Sequence, residues 1–199
     1  MSGLRIGVLS EDATDCNAIG VLIRRIASEV RESPVGINKY SGKGCSRLRK
    51  AAEPKMKLMA DEGCVAVVLV HDLDRDPNNG ELNDEAELRA RLEAIEFPAN
   101  LFRLICIPVE EIEAWFWSDP SIIEEVGRDK GKAHPSPHLI RKPKEELIRL
   151  SIGANKKPRY STNENDKLAA KLDLIICAQR CDSFRMLKEF VRGVVQAAT

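Results

Sequence analysis

Six consecutive apolar residues at 65–70, VAVVLV, run directly into an acidic stretch, His71-Asp72-Leu73-Asp74-Arg75-Asp76. An unbroken β-branched run without polar alternation suits a strand buried on both faces, and such a strand needs a layer of helix above it and another below. The flanking sequence supplies both. Residues 4–9 (LRIGVL) and 101–109 (LFRLICIPV) are further apolar runs, and 35–40 is a weaker one. Apolar residues at 19, 22, 23, 26, 27 and 30 form a helical stripe within 15–30, which is capped by Asp12 or Thr14 and ended by Pro34. Other helices are expected at 47–61, interrupted near Pro54, at 83–96, and at 110–117. Four strands alternating with helices predict an α/β fold, with a mostly parallel four-stranded sheet and helices on both faces.

After residue 119 the pattern changes. Residues 127–161 are rich in Pro, Lys and Arg with a helical signal near 144–150, and helical segments follow at 164–178 and 183–196. The chain therefore reads as an α/β domain at 1–119 with a basic, helical C-terminal extension at 120–199 packed on it. With 43% hydrophobic residues in 199, a substantial core is available. No apolar run approaches the ~20 residues of a membrane span. The opening MSGLRIGVLSED carries an acidic pair where a signal peptide needs small uncharged residues, so a cytoplasmic protein without a membrane partner is expected. The six cysteines are scattered without a CxxC pair and are expected to be reduced. Cys177 and Cys181, one helical turn apart, would need two more ligands to hold zinc. The two prolines of HPSPH prevent His134 and His138 from acting as a helical pair.

Sites in such sheets form beyond the carboxyl ends of the strands. Three strand ends here carry acids: Glu11 and Asp12 after the first, Asp72, Asp74 and Asp76 after the third, and Glu110, Glu111 and Glu113 after the fourth. Carboxylates gathered this way repel one another unless a cation joins them. Mg²⁺ (or Mn²⁺) suits an all-oxygen set, which makes Glu11, Asp72, Asp74 and Glu110 candidate ligands. In extended backbone, residues two apart face the same way, so Asp72 and Asp74 can address one ion while Leu73 turns inward. Asp, Asn, Pro and Gly are also ordinary turn formers, and the dyad alone fits a polar loop better than a metal site. The acids at two other strand ends favour the metal reading.

A βαβα run with Glu after its first strand and Asp-x-Asp after its third resembles a Toprim domain, the module shared by topoisomerases, primases and overcoming-lysogenization-defect nucleases. The similarity covers about residues 4–117. The stretches SGKGCSRL, VHDLD, PVEEIEAWFWSD, KPKEEL and CDSF are similar to those of small bacterial Toprim-like proteins. The resemblance implies that Glu11 acts as general acid or base and that Asp72 and Asp74 hold magnesium, with Asp76 as an extra ligand. Asp12 stands where Toprim sequences often have Gly. No tyrosine nucleophile is evident, and the chain is too short for a primase with accessory domains. What the resemblance leaves is a magnesium-dependent nuclease, acting in phage defence or a toxin-like system beside a partner ATPase, with a homo-oligomer also open. A non-catalytic subunit binding nucleic acid or protein is the alternative. A response-regulator-like receiver would need a fifth parallel strand, which is not visible.

The balance of 31 basic and 31 acidic residues argues against a wholesale polyanion binder, yet it hides segregation. Residues 39–57 hold seven Lys/Arg against one acid, 128–159 hold ten against three, and 72–96 hold nine acids against three bases. Basic flanks around an acidic centre suit DNA or RNA as a partner. Within Ser41-Gly42-Lys43-Gly44-Cys45-Ser46, Gly42 and Gly44 free the backbone to approach a phosphate, and Lys43 and Arg47 add charge. The same stretch reads equally as a plain turn, and it lacks the Walker spacing for ATP. Lys156 and Lys157 are the candidate cations for charge developing on a phosphate. Trp115 and Trp117 are read as core in preference to base-stacking platforms, and Glu113 as a residue that orients the site.

Overall fold

A computed structural model describes residues 3–128, 130–154 and 156–198. Asp129, one of the acids in the basic stretch, lies outside them. Four strands, β1 (Arg5–Ser10), β2 (Gly36–Ser41), β3 (Ala66–Val70) and β4 (Phe102–Cys106), form one sheet in the order β2-β1-β3-β4. Every pairing is parallel, with Val8 level with Lys39 on one side and Val68 on the other. From β1 the chain goes outward through α1 (Ala13–Ser28) to β2, then returns through α2 (Cys45–Asp61) to β3. The winding direction thus reverses between β1 and β3. At such a switch point the loops leaving two adjacent strands part to opposite faces and leave a crevice.

Strand periodicity sorts the side chains into two cores. Ile6, Val8, Ala66, Val68, Val70, Leu104 and Cys106 pack on one face, against Ile19, Leu22, Ile23 and Ile26 of α1. Leu9, Val67, Leu69 and Ile105 pack on the other, against Leu48, Ala52, Met56 and Met59 of α2 and Leu92 of α3 (Glu85–Glu93). Each such side chain contributes about 1.5–3 kcal/mol on burial. The second layer closes directly over Gly7, where a Cβ would displace Met59 Sδ and lie 2.9 Å from Val67 Cγ2.

The remaining helices are α4 (Glu113–Phe116), α5 (Pro120–Gly127), α6 (Pro143–Leu150), α7 (Asn165–Lys171), α8 (Leu174–Arg180) and α9 (Asp182–Ala197). They are not a separate layer with its own core. Leu147, Tyr160, Leu168, Phe184, Leu187 and Val191 belong to the same apolar cluster as α1 and the sheet. The Arg25 guanidinium on α1 donates to the carbonyls of Ala169 and Leu172, both at 2.7 Å. Among the described residues no helix is long and apolar enough to cross a membrane.

Three expectations change. Helix α2 runs unbroken through Pro54, which sits on its exposed side, where water can satisfy the carbonyl that proline leaves unpaired. The expected helix at 110–117 shrinks to Glu113–Phe116, because Glu110 adopts φ 59°, a left-handed conformation that breaks the helix before it begins. The expected helix at 164–178 splits at Leu172–Asp173, where Asp173 caps α8 by accepting from the amides of Ile175 and Ile176.

Candidate metal centre

The crevice between β1 and β3 is where the acids meet. Ser10 ends β1, so Glu11 emerges at its tip, and Asp12 then caps α1 by accepting from the Thr14 amide at 2.8 Å. Asp12 has φ −121°, so a glycine is not needed at this position. The first turn of α1 carries Asp15 to the same side as Glu11. Asp72 leaves the tip of β3, and the chain beyond β4 brings Glu111 and Glu113. These five carboxylates, with Asp12, Thr14, Lys43, Gly44, Lys144 and Thr162, line one cavity of about 250 Å³.

Electrostatics at this cavity are poorly balanced. Burial, then the charges of Glu113 and Asp12, push the Asp15 carboxyl up to about 8. Burial and the charges of Asp15, Glu11, Glu113 and Glu111 hold Asp72 well above the carboxylate range. Burial also raises Glu113, although Asn165 donates to its Oε1 at 2.9 Å. Among the described residues no hydrogen bond or ion pair reaches the carboxylates of Asp15 or Asp72. Lys144 is the partial counterweight: its ammonium pairs with Glu111, and its amide donates to Glu111 Oε2 at 3.1 Å. Six carboxylates against Lys43 and Lys144 leave the site short of positive charge. A donor set of carboxylate oxygens fits a hard divalent cation.

A second cavity, of about 310 Å³, lies on the other side of Asp72 and is lined by Cys45, Arg49, His71, Asp74 and the start of α3. Glu11 stands between the two sets of donors. Its Oε2 accepts from the Cys45 thiol at 2.7 Å, and its Oε1 is buried without a hydrogen bond, 3.5 Å from His71 Nδ1. Ligand atoms of Glu11, Cys45 and His71 lie within 4.8 Å of one another, and the three residues could hold a metal ion. A third cavity, about 220 Å³ between α3, α4 and α9, has mostly apolar walls, among them Ile107, Val109, Trp115 and Met186.

Asp72 lines both of the first two cavities, but Glu11 lines only the first and Asp74 only the second, so the expected shared ion of Glu11, Asp72 and Asp74 is split between two cavities. Two proposed ligands are elsewhere. Glu110 turns away to pair with Arg75 and to accept from the Lys142 amide, and its left-handed backbone sends neighbouring Glu111 inward in its place. Asp76 closes its own loop by accepting from Asn78 N at 2.7 Å and lines neither acidic cavity.

The phosphate loop also changes meaning. The Gly42 and Gly44 amides donate to the carbonyls of Ser10 and Glu11, at 2.8 and 3.2 Å, and are not offered to an anion. Gly42 is needed for packing, since a Cβ there would meet Leu48 Cα at 2.6 Å. Lys43 does reach the cavity, whereas Arg47 is exposed on α2 and does not line it. Lys156 and Lys157 are exposed and do not line the cavity, so Lys144 takes the place expected for them. Trp115 is buried, donates to Ser183 Oγ at 3.0 Å and packs edge-on against Phe184. Cys177 and Cys181 are buried free thiols, and among the described residues they form no ligand cluster with His134 or His138.

Sequence pattern alone does not mark Asp15, Cys45, His71 or Lys144 as site residues. Asp15 had a signal, an acid four residues after Glu11 at the start of a helix. Lys144 had none in the local pattern, because the turn that delivers it follows the largely irregular stretch between α5 and α6.

The family model described as Domain of unknown function (DUF4276) matches residues 10–192, which is most of the 199-residue chain. No curated protein and no solved structure matches it.

Proposed function

This chain belongs to the DUF4276 family, and we propose that it is a Mg²⁺- or Mn²⁺-dependent phosphodiester hydrolase acting on nucleic acid. The observation that carries the reading is the convergence of Glu11, Asp15, Asp72, Glu111 and Glu113 on one cavity, with no hydrogen bond or ion pair to the Asp15 and Asp72 carboxylates among the described residues. Glu11, Asp15, Asp72 and Glu113 are the residues that would hold the ion. When bound, it supplies polarisation of the phosphate and a lowered pKa for the attacking water.

The chain's own groups supply the rest. Glu11, with an oxygen free of hydrogen bonds, takes the proton from the water. Lys43, at the cavity wall, attracts the phosphate. Lys144, held in place by Glu111, faces the charge that develops on it. Exposed basic residues on α2 and before α6, among them Arg47, Lys50 and Arg141, extend the positive surface along a polyanion. The Toprim resemblance of residues 4–117 supports the same chemistry.

The test is cleavage of labelled DNA and RNA by the wild type and by Asp72→Asn, in Mg²⁺ or Mn²⁺. The wild type is expected to cleave, and the variant to lose about 100-fold or more, the usual scale for removing one group that stabilises transition-state charge. Equal cleavage by both, or none by the wild type with either ion, overturns the reading. Metal-independent nucleic-acid binding without turnover would support a non-catalytic subunit instead.

A further inference from the structure

We propose that Glu11, Cys45 and His71, with Asp74 beside them, form a site for a thiophilic divalent cation of the zinc class that shares Glu11 with the neighbouring acidic cavity. The inference rests on this donor set and not on the hydrolase reading.

Ligand atoms of Glu11, Cys45 and His71 already lie within 4.8 Å of one another, and Asp74 stands beside Cys45. Metal–ligand bonds of about 2.0–2.3 Å imply edges of about 3.3 Å between two N/O donors and about 3.6 Å between S and O. Glu11 Oε1 is 3.5 Å from His71 Nδ1, and Cys45 Sγ is 3.9 Å from Asp74 Oδ2. The one edge that is too short, 2.7 Å between Cys45 Sγ and Glu11 Oε2, is a hydrogen bond. It disappears when the thiol gives its proton to solvent and the thiolate takes the ion. Glu11 Oε1, buried with no hydrogen bond, is a donor atom without a task in the metal-free protein.

Chemical type separates this site from its neighbour. Thiolate and imidazole favour Zn²⁺ and Co²⁺, whereas Mg²⁺ prefers oxygen and water. Cys45 is also the one cysteine of six that is not buried.

Arg49 controls access. Its guanidinium lies 3.0 Å from His71 Nε2, and since arginine only donates, Nε2 accepts and the ring proton sits on Nδ1, 2.9 Å from the Asp72 carbonyl. Nε2 can ligate only after Arg49 leaves. Nδ1 can ligate only after its proton moves to Nε2, which again requires Arg49 to leave. Arg49 is exposed and has room to swing away.

The experiment is a titration of the reduced full-length chain with Co²⁺, read by thiolate-to-cobalt absorption in the near ultraviolet, followed by displacement with Zn²⁺. One equivalent is expected to give the band, Zn²⁺ to abolish it, and a large excess of Mg²⁺ to leave it. Cys45→Ser, which keeps a donor to Glu11, is expected to fold and to lose the band. Asp74→Asn is expected to weaken binding about tenfold, and Arg49→Ala to tighten it about tenfold, each a 1.4 kcal/mol change. No band in the wild type, a band that persists in Cys45→Ser, or a band erased by Mg²⁺ overturns the proposal. None of these readouts uses a nucleic acid, so failure of the hydrolase reading leaves them unaffected.

Discussion

Asn165 Nδ2 donates to Glu113 Oε1 at 2.9 Å, across 52 residues of chain, and both side chains are buried. Tyr160 completes the contact with a 2.6 Å hydrogen bond from its hydroxyl to Asn165 Oδ1. The C-terminal extension thereby fixes one acid of the cavity through a neutral amide, which adds no further negative charge. Asn165→Ala removes both of these hydrogen bonds, leaves only the longer 3.4 Å contact from the Tyr160 hydroxyl to Glu113 Oε1, and is expected to cost about 1–3 kcal/mol. Thermal denaturation reads this as a loss of about 2–4 °C per kcal/mol in a chain of this length. An unchanged Tm would mean that the amide holds nothing.

Stability should depend on pH in a direction set by the acids. Asp15 is raised to about 8, and Asp72, Asp74 and Glu113 are also raised. Between about pH 4, where these acids ionise in an unfolded chain, and about pH 8, the folded form keeps protons that the unfolded form has released. The metal-free protein is therefore most stable below about pH 4 as far as these groups are concerned, and loses that contribution as pH rises through about 8. The expected loss is at least about 1 kcal/mol, or about 2–4 °C. Asp15→Asn should flatten the slope. Mg²⁺ should raise Tm more at pH 8 than at pH 5, and a flat pH profile without metal would count against the crowding of the acids.

Asp72 lines both acidic cavities, whereas Asp15 lines only the first. Asp72→Asn is expected to weaken Mg²⁺ binding about tenfold or more, as measured by calorimetry, because it removes a full ligand charge. Far-ultraviolet circular dichroism should remain that of the wild type, since no hydrogen bond to this carboxylate is lost. Full Mg²⁺ affinity in the variant would place the ion elsewhere.

Glu110 and Glu111 are adjacent in sequence and should behave as opposites. Glu110→Ala strips Arg75 of its partner and leaves the Lys142 amide unmet. It should cost about 3 kcal/mol, the low end for breaking a buried pair, because Arg75 keeps 20% of its side chain in solvent. Its Mg²⁺ affinity should be that of the wild type. Glu111→Ala releases Lys144 and should lower Mg²⁺ affinity with a smaller loss of stability. Exchanged effects would reverse the assignment.

Gly42→Ala tests whether the loop before α2 is a packing device. The added Cβ falls 2.6 Å from Leu48 Cα, which is backbone and cannot yield as a side-chain tip can. A loss of about 1–3 kcal/mol is expected, typical of overpacking. A neutral substitution would free Gly42 for another role.

The strands at 65–70 and 4–9 were legible as apolar runs because burial on both faces leaves no polar alternation, and the stripe of α1 because burial on one face imposes a period. The same logic placed Glu11, Asp72 and Asp74 beyond strand ends, and the sheet puts them around one crevice. Glu110 was misplaced because its left-handed φ is a tertiary outcome: Arg75 and the Lys142 amide hold it, and neither is a near neighbour in sequence. Pro54 misled because a proline on a solvent-facing side of a helix costs less than its residue type suggests.

Local patterning, then, determined on its own which segments up to the fourth strand are strand and which helix, that the sheet is mostly parallel, and that carboxylates stand at its rim. Only the tertiary structure decided which of those carboxylates share a cavity, that Lys144 and Asn165 come from the extension to meet them, and that Cys45 and His71 give Glu11 a second, softer set of neighbours. The physical reason is range. Periodicity is a property of a few consecutive residues, whereas a site is a coincidence of side chains from loops whose backbone angles depend on everything packed around them.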